Sequence, residues 1–274
     1  MSSEEKKQEV IHTKIWREEP EPDNPFAAKK CFCAGYDVYG DLLDKASWVE
    51  YLYLLFKLEK PTQEQAKLLE TIAVAIANPG IRDHSVRAAM NAGVGGSTAA
   101  SVLMAALAVG AGQYGGAREI FLLLKIWKQC GTDIGSWKKA LINPLEREKP
   151  DSWPELKHPI GFDPNSDSFS LPLQQIFNKF LKLSEGESLT WLHQNQDELE
   201  EAAACPLALT NVIAAAFNDL GFNDEQGEML YLMLRLPGAA VHGLEQKKMG
   251  WRKFPFYVEG LEIMDDPLQK TSDG

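Results

Sequence analysis

With 274 residues, 45% hydrophobic and 24% charged, the chain has the make-up of one large or two modest folded domains, and its apolar content excludes wholesale disorder. A formal charge of −11 and a pI near 5.0 set it against phosphate backbones, so nucleic-acid binding is not expected. Cys31, Cys33, Cys130 and Cys205 are too few for a disulfide scaffold, and the polar opening around Met1–Glu9 has no apolar signal core, which together point to a reducing cytoplasm.

The first 29 residues read as an extended arm. Residues 1–24 are charged and interrupted by Pro20 and Pro22. Strand-like patterns are confined to Ile11–Trp16 and Phe254–Val258, so the chain is expected to be mostly α. Ser47-Trp48-Val49-Glu50 has capping-box spacing: the first side chain caps an orphan N–H and the fourth reaches back. Thr62-Gln63-Glu64-Gln65 repeats it, and leads into Ala66, Leu69, Ile72, Ala73 and Ile76 on one face before Asn78-Pro79-Gly80 stops the helix. Ala88–Ala117 carries no charge and is long enough to cross a bilayer. It also holds Asn91, Ser97, Thr98, Ser101 and Gln113 and is crowded with Gly and Ala, so it reads as a helix buried on all sides in an α-domain or a dimer interface, and no membrane contact is expected.

Between Gly131 and Cys205 the texture changes. Pro144, Pro150, Pro154, Pro159, Pro164 and Pro172 separate short helical patterns, suggesting a smaller inserted subdomain over 131–205. Residues 30–130 then form the first part of a large helical domain, and 206–274 its second part with a C-terminal arm. Within that second part, Asn223-Asp224-Glu225-Gln226 opens another helix.

Few residues suggest chemistry by themselves. Cys31-Phe32-Cys33 is at most half of a metal site, and no histidine stands at paired spacing, so no metal is expected. The glycines at 93, 95, 96, 110, 112, 115 and 116 match no phosphate loop and suit close helix packing. His84, in Arg82-Asp83-His84-Ser85-Val86-Arg87, fits either an anion site titrating near neutrality or a loop histidine in a solvated charge pair. His158 precedes Pro159 in the loopy region. If the last helix runs through Pro237, then Arg235, His242 and Gln246 share a face, and a buried Arg235 needs an anionic partner, structural or substrate.

Several stretches together resemble the citrate synthase family. Gly35-Tyr36-Asp37-Val38, Asp41-Leu42, Ser47-Trp48, Tyr53-Leu54-Leu55 and Pro61-Thr62 resemble its N-terminal pattern. Ala77–Glu119 resembles its central buried helix, ending at Gly115-Gly116-Ala117-Arg118-Glu119. Arg235–Gln246 resembles its Arg-x-x-Gly-x-x-Ala-His-x-x-Glu-Gln helix, and Trp251-Arg252-Lys253-Phe254-Pro255 its following Arg-Pro element. The short length is similar to citryl-CoA lyase and to the citrate-synthase-like domain of ATP-citrate lyase. The resemblance implies a helical large domain with a small mobile one. It also implies a homodimer, and a cleft for a small carboxylate such as oxaloacetate or citrate beside a coenzyme A thioester, with a carbon–carbon bond made or broken next to the thioester.

Carried over by position, the resemblance makes Arg235 a substrate clamp and Arg252 a second one that family dimers supply across the interface. His158 matches the histidine of the mobile domain, although Lys157 replaces a glycine and Asp163-Pro164-Asn165 lacks an arginine. The family's Asp-His falls on Asn78-Pro79, the histidine before Gly-Gly falls on Tyr114, and the base aspartate falls near Thr210, with no carboxylate until Asp219. An altered constellation of His84, Arg87 and Tyr114 is the alternative, because lyase-type relatives place their histidine in the Arg82–Arg87 neighbourhood. Two functions follow: a citryl-CoA-lyase-like enzyme, or a non-catalytic binder or partner subunit on the same scaffold.

Overall fold

The structure, a computed structural model, describes residues 13–142 and 158–254. It opens with a three-stranded antiparallel meander, β1 (Arg17–Glu21), β2 (Asn24–Cys33) and β3 (Tyr36–Asp37). Within the stretch expected as an extended arm, residues 17–29 are therefore part of a hairpin. Arg17 pairs with Phe32 and lays its guanidinium over that ring at 4.1 Å. Charges hide this hairpin in the sequence because both its faces meet water, so no apolar alternation is needed. Ile15 and Trp16 lie just before β1, outside any strand, and Phe254–Val258 falls beyond the described residues after Phe254.

The remainder is helical. A π-type turn, Val38–Leu42, runs into α1 (Leu43–Lys45), followed by α2 (Trp48–Lys57) and α3 (Gln63–Ile76). All three expected caps form: Ser47 accepts from Glu50 N at 3.4 Å, Thr62 from Gln65 N at 3.1 Å and Asn223 from Gln226 N at 2.8 Å, and each fourth residue returns a bond. These motifs are legible because every atom they use lies within four residues.

The uncharged stretch is two helices instead of one. α4 (His84–Val94) ends at Gly95, Gly96 turns the chain at φ +78°, and Thr98 caps α5 (Ala99–Gly110). Burial on all sides does not hold within this chain, since α5 leaves Met104 59% and Val109 45% exposed. Among the described residues no helix is long and apolar enough to cross a membrane.

α6 (Ala117–Cys130) is the main core element, with Ile120, Leu123, Leu124, Ile126 and Trp127 all buried. α7 (Ile134–Ile142), α8 (Leu171–Leu181), α9 (Ser188–Gln194) and α10 (Gln196–Ala203) occupy the loopy region. A cluster of Trp127, Trp137 and Trp191, with ring centroids 4.8–5.7 Å apart, ties α7 and α9 to α6. α11 (Leu209–Asp219) is buried from Thr210 to Phe217.

α12 (Asp224–Met249) does run through Pro237, and a 3-10 turn, Trp251–Lys253, follows it. Proline breaks the local ladder, and the next N–H, that of Gly238, turns to the carbonyl of Ala77 at 2.7 Å. Gly93 of α4 and Gly243 of α12 meet backbone to backbone: a Cβ on Gly93 would lie 2.3 Å from the Gly243 carbonyl oxygen. Close packing is thus what these glycines provide.

Candidate functional site

The end of α3, the start of α4, the loop before α6, the segment after His158 and the head of α11 enclose a cleft of about 610 Å³. His84, Tyr114, His158 and Arg235, four of the six residues singled out from the sequence, line it. Arg87 and Arg252 do not line it: Arg87 lies within the first turn of α4, and Arg252 is exposed on the turn after α12.

Arg235 needs an anionic partner because it is buried, at 7% exposure, inside an apolar helix. Its partner is Asp83, which one guanidinium nitrogen contacts directly. The other terminal nitrogen donates to the Gly115 carbonyl at 3.2 Å, and the guanidinium sits 4.7 Å from the Tyr231 ring centroid. The second oxygen of Asp83 caps α4, accepting from Ser85 N at 2.9 Å and Val86 N at 3.3 Å. His84 is therefore held at the first position of a capped helix. The i+7 and i+11 neighbours of Arg235 on α12 behave as the shared face requires: His242 meets Asn78 at 3.1 Å and Gln246 is buried.

Three further carboxylate or phenol groups belong to the site and do not stand out in the sequence as site residues. Glu119, 6% exposed, accepts from Gly115 N and from Gly161 N, each at 2.8 Å. Its sequence signals are its place at the end of Gly115-Gly116-Ala117-Arg118-Glu119 and in the first turn of α6, where an acidic residue usually marks only a favourable dipole contact. Asp163 caps its own turn through Asn165 N at 2.9 Å. Tyr231 donates weakly to Gly115 O at 3.5 Å, and burial pushes its phenol up to about 12, Arg235 opposing the rise and Glu119 and Asp83 adding to it.

At the head of α11 the cleft wall is Ala208, Leu209 and Thr210. No carboxylate stands there, as the sequence indicates. The Thr210 hydroxyl and both amide atoms of Asn211 are buried without a hydrogen-bond partner. Asp219 cannot substitute for the missing group, because it accepts from Ser188 N at 2.7 Å and Leu189 N at 3.1 Å at the head of α9.

Chemically the cleft lining combines cationic and proton-exchanging groups with the apolar side chains of Ile160, Phe162, Leu173 and Leu209. Such a lining suits a ligand with a carboxylate end and a longer, less polar arm. Among the described residues no group of three His, Cys, Asp or Glu side chains is placed to hold a metal ion.

No protein-family model and no curated protein matches this chain. Solved structures do. A citryl-CoA lyase from Hydrogenobacter thermophilus superposes with a TM-score of 0.71 at 20% identity, covering 94% of this chain and 96% of that one. ATP citrate lyase from Methanothrix soehngenii, solved with citrate and coenzyme A, gives 0.70 at 17% identity over 94% of this chain, which spans only 42% of it. A citrate synthase from Thermoplasma acidophilum, solved with carboxymethyl coenzyme A and oxaloacetate, gives 0.54 at 15% identity over 82% of this chain and 60% of that one. The chain has the citrate-synthase-like helical fold.

Proposed function

We propose that this protein makes or breaks a carbon–carbon bond between an acyl-CoA and a 2-oxo dicarboxylate, in the manner of a citryl-CoA lyase. The observation that carries this reading is the convergence of His84, Tyr114, His158 and Arg235, from four separate segments, on one cleft. Solved relatives of the same fold that hold citrate, oxaloacetate or coenzyme A support the ligand class.

In the cleavage direction Arg235 binds a substrate carboxylate through donors beyond those given to Asp83 and Gly115; a guanidinium has five. His158 takes the proton of the tertiary hydroxyl. The C–C electron pair then moves to the thioester carbonyl oxygen, where His84 and Tyr114 donate hydrogen bonds to the growing enolate. The enolate carbon takes its proton from water, since Thr210 offers no carboxyl group. Lacking that acid, turnover is expected roughly 100- to 10,000-fold below that of a cleft that carries it. A homodimer completes the site in this reading, with Arg252 of a second copy entering beside Arg235, and the cytoplasm supplies the coenzyme A ester.

A second reading, a binder or partner subunit without turnover, is favoured by one observation: the Thr210 wall. Both are tested by incubating the full chain with citryl-CoA and following acetyl-CoA and oxaloacetate, with calorimetry of oxaloacetate, citrate and coenzyme A alongside. Turnover that falls on the order of 100-fold in Arg235→Ala, about two charge-assisted hydrogen bonds' worth, is the expected result. Tight binding without turnover selects the second reading. Neither turnover nor binding, or turnover indifferent to Arg235→Ala, overturns the first.

A further inference from the structure

We propose that Glu119 is a positioning residue, whose buried carboxylate sets the loop bearing Tyr114 and the segment bearing His158 at a fixed separation and ties both to Arg235. The carboxylate spends one oxygen on each side: Oε2 accepts from Gly115 N and Oε1 from Gly161 N, both at 2.8 Å. Each of those glycines is held again through its own carbonyl. The Gly115 carbonyl accepts from Arg235 at 3.2 Å, and the Gly161 carbonyl accepts from Ala208 N, at the head of α11, at 2.9 Å. Arg235 continues to Asp83, the cap of the helix that begins with His84. One run of hydrogen bonds thus joins Asp83, Arg235, Gly115, Glu119, Gly161 and Ala208; His84 and Tyr114 are adjacent to members of it, and His158 lies three residues before Gly161.

The two glycines themselves have no side chain to pack, although Ile160 and Phe162 on either side of Gly161 are buried in the core. Gly115 and Gly161 lie at φ +68° and +83°, a region that side-chain-bearing residues rarely adopt. At Gly161 a Cβ would lie 2.8 Å from both the Asn211 amide and Leu123. Their N–H groups are what remains to grip, and an ionised carboxylate, which only accepts, is the group that grips two at once. A glutamine of the same shape presents one oxygen and one NH2, so it releases one of the two loops.

Hydrogen exchange at single amides of the ligand-free protein tests this without reference to catalysis. In the wild type both the Gly115 and the Gly161 amide should exchange slowly. In Glu119→Gln at least one should exchange about tenfold faster, the equivalent of one lost hydrogen bond, while the Val212–Phe217 amides of α11 keep their protection. The kinetic arm rests on the citryl-CoA reading: there Glu119→Gln should lower kcat on the order of 100-fold, as expected for misplacement by about 1 Å, with KM little changed. Fast exchange of either glycine amide in the wild type, or unchanged protection of both in Glu119→Gln, overturns the proposal. Should Glu119→Gln fail to fold, the wild-type amides decide: slow exchange of both through one opening event supports it, and fast or independent opening overturns it. Accelerated exchange together with no wild-type turnover defeats the functional reading and leaves the positioning role standing.

Discussion

Asp83 divides its carboxylate between two partners of different kinds. One oxygen satisfies orphan N–H groups at the head of α4, and the other neutralises the guanidinium of Arg235, with side-chain exposures of 18% and 8%. Removing it strands a buried charge and opens a helix cap in one step. The first effect costs about 3–5 kcal/mol in buried pairs, and the second about 1 kcal/mol. Asp83→Ala is therefore expected to lower the unfolding free energy by roughly 3 kcal/mol or more in urea titrations. The charge logic adds a more specific expectation. With its internal carboxylate gone, Arg235 should take one from solution, so millimolar oxaloacetate should raise the melting temperature of Asp83→Ala by more than that of the wild type. An equal ligand response in both proteins would detach Arg235 from carboxylate binding.

At the scale of elements, α12 governs the site by the way it crosses its neighbours. Its Pro237 redirects the Gly238 N–H to Ala77, which anchors the chain just before the Asn78–Asp83 turn. Its Gly243 lies against Gly93, letting α4 and α12 approach to backbone contact and bringing Asp83 within reach of Arg235. Gly93→Ala places a methyl group 2.3 Å from a carbonyl oxygen, which the helices can relieve only by separating. A loss of about 1–3 kcal/mol or more is expected, the scale of overpacking. Because the Asp83–Arg235 contact spans the same two helices, oxaloacetate affinity in calorimetry should fall with it. Unchanged affinity would show that the crossing and the site are independent. Periodicity and capping made α2, α3 and the start of α12 readable beforehand. The break at Gly95-Gly96 was not readable in the same way, because an unbroken run of small uncharged residues carries no amphipathic phase to interrupt.

For the molecule as a whole, the apolar surface matters most. Met104 and Val109 on α5, and Val241 and Leu244 on α12, are 45–64% exposed. The homodimer invoked for Arg252 would cover these side chains. Leu244→Glu should then shift the chain from dimer to monomer in light scattering and lower turnover with it. A wild-type protein that is monomeric at micromolar concentration would remove Arg252 from the site.

Local chemistry alone determined part of this protein: the mostly helical class, the three capping boxes, and the need of a buried Arg235 for an anion. Each depends on residues within a few turns of one another, or on a cost that a residue carries wherever it is buried. The charged hairpin, the two-helix split and the role of Glu119 were decided by tertiary structure. The link from Gly115 through Glu119 to Gly161 cannot be read from the Gly115–Glu119 segment alone, because the Gly161 N–H reaches the carboxylate only when α6 and the segment after His158 are packed together.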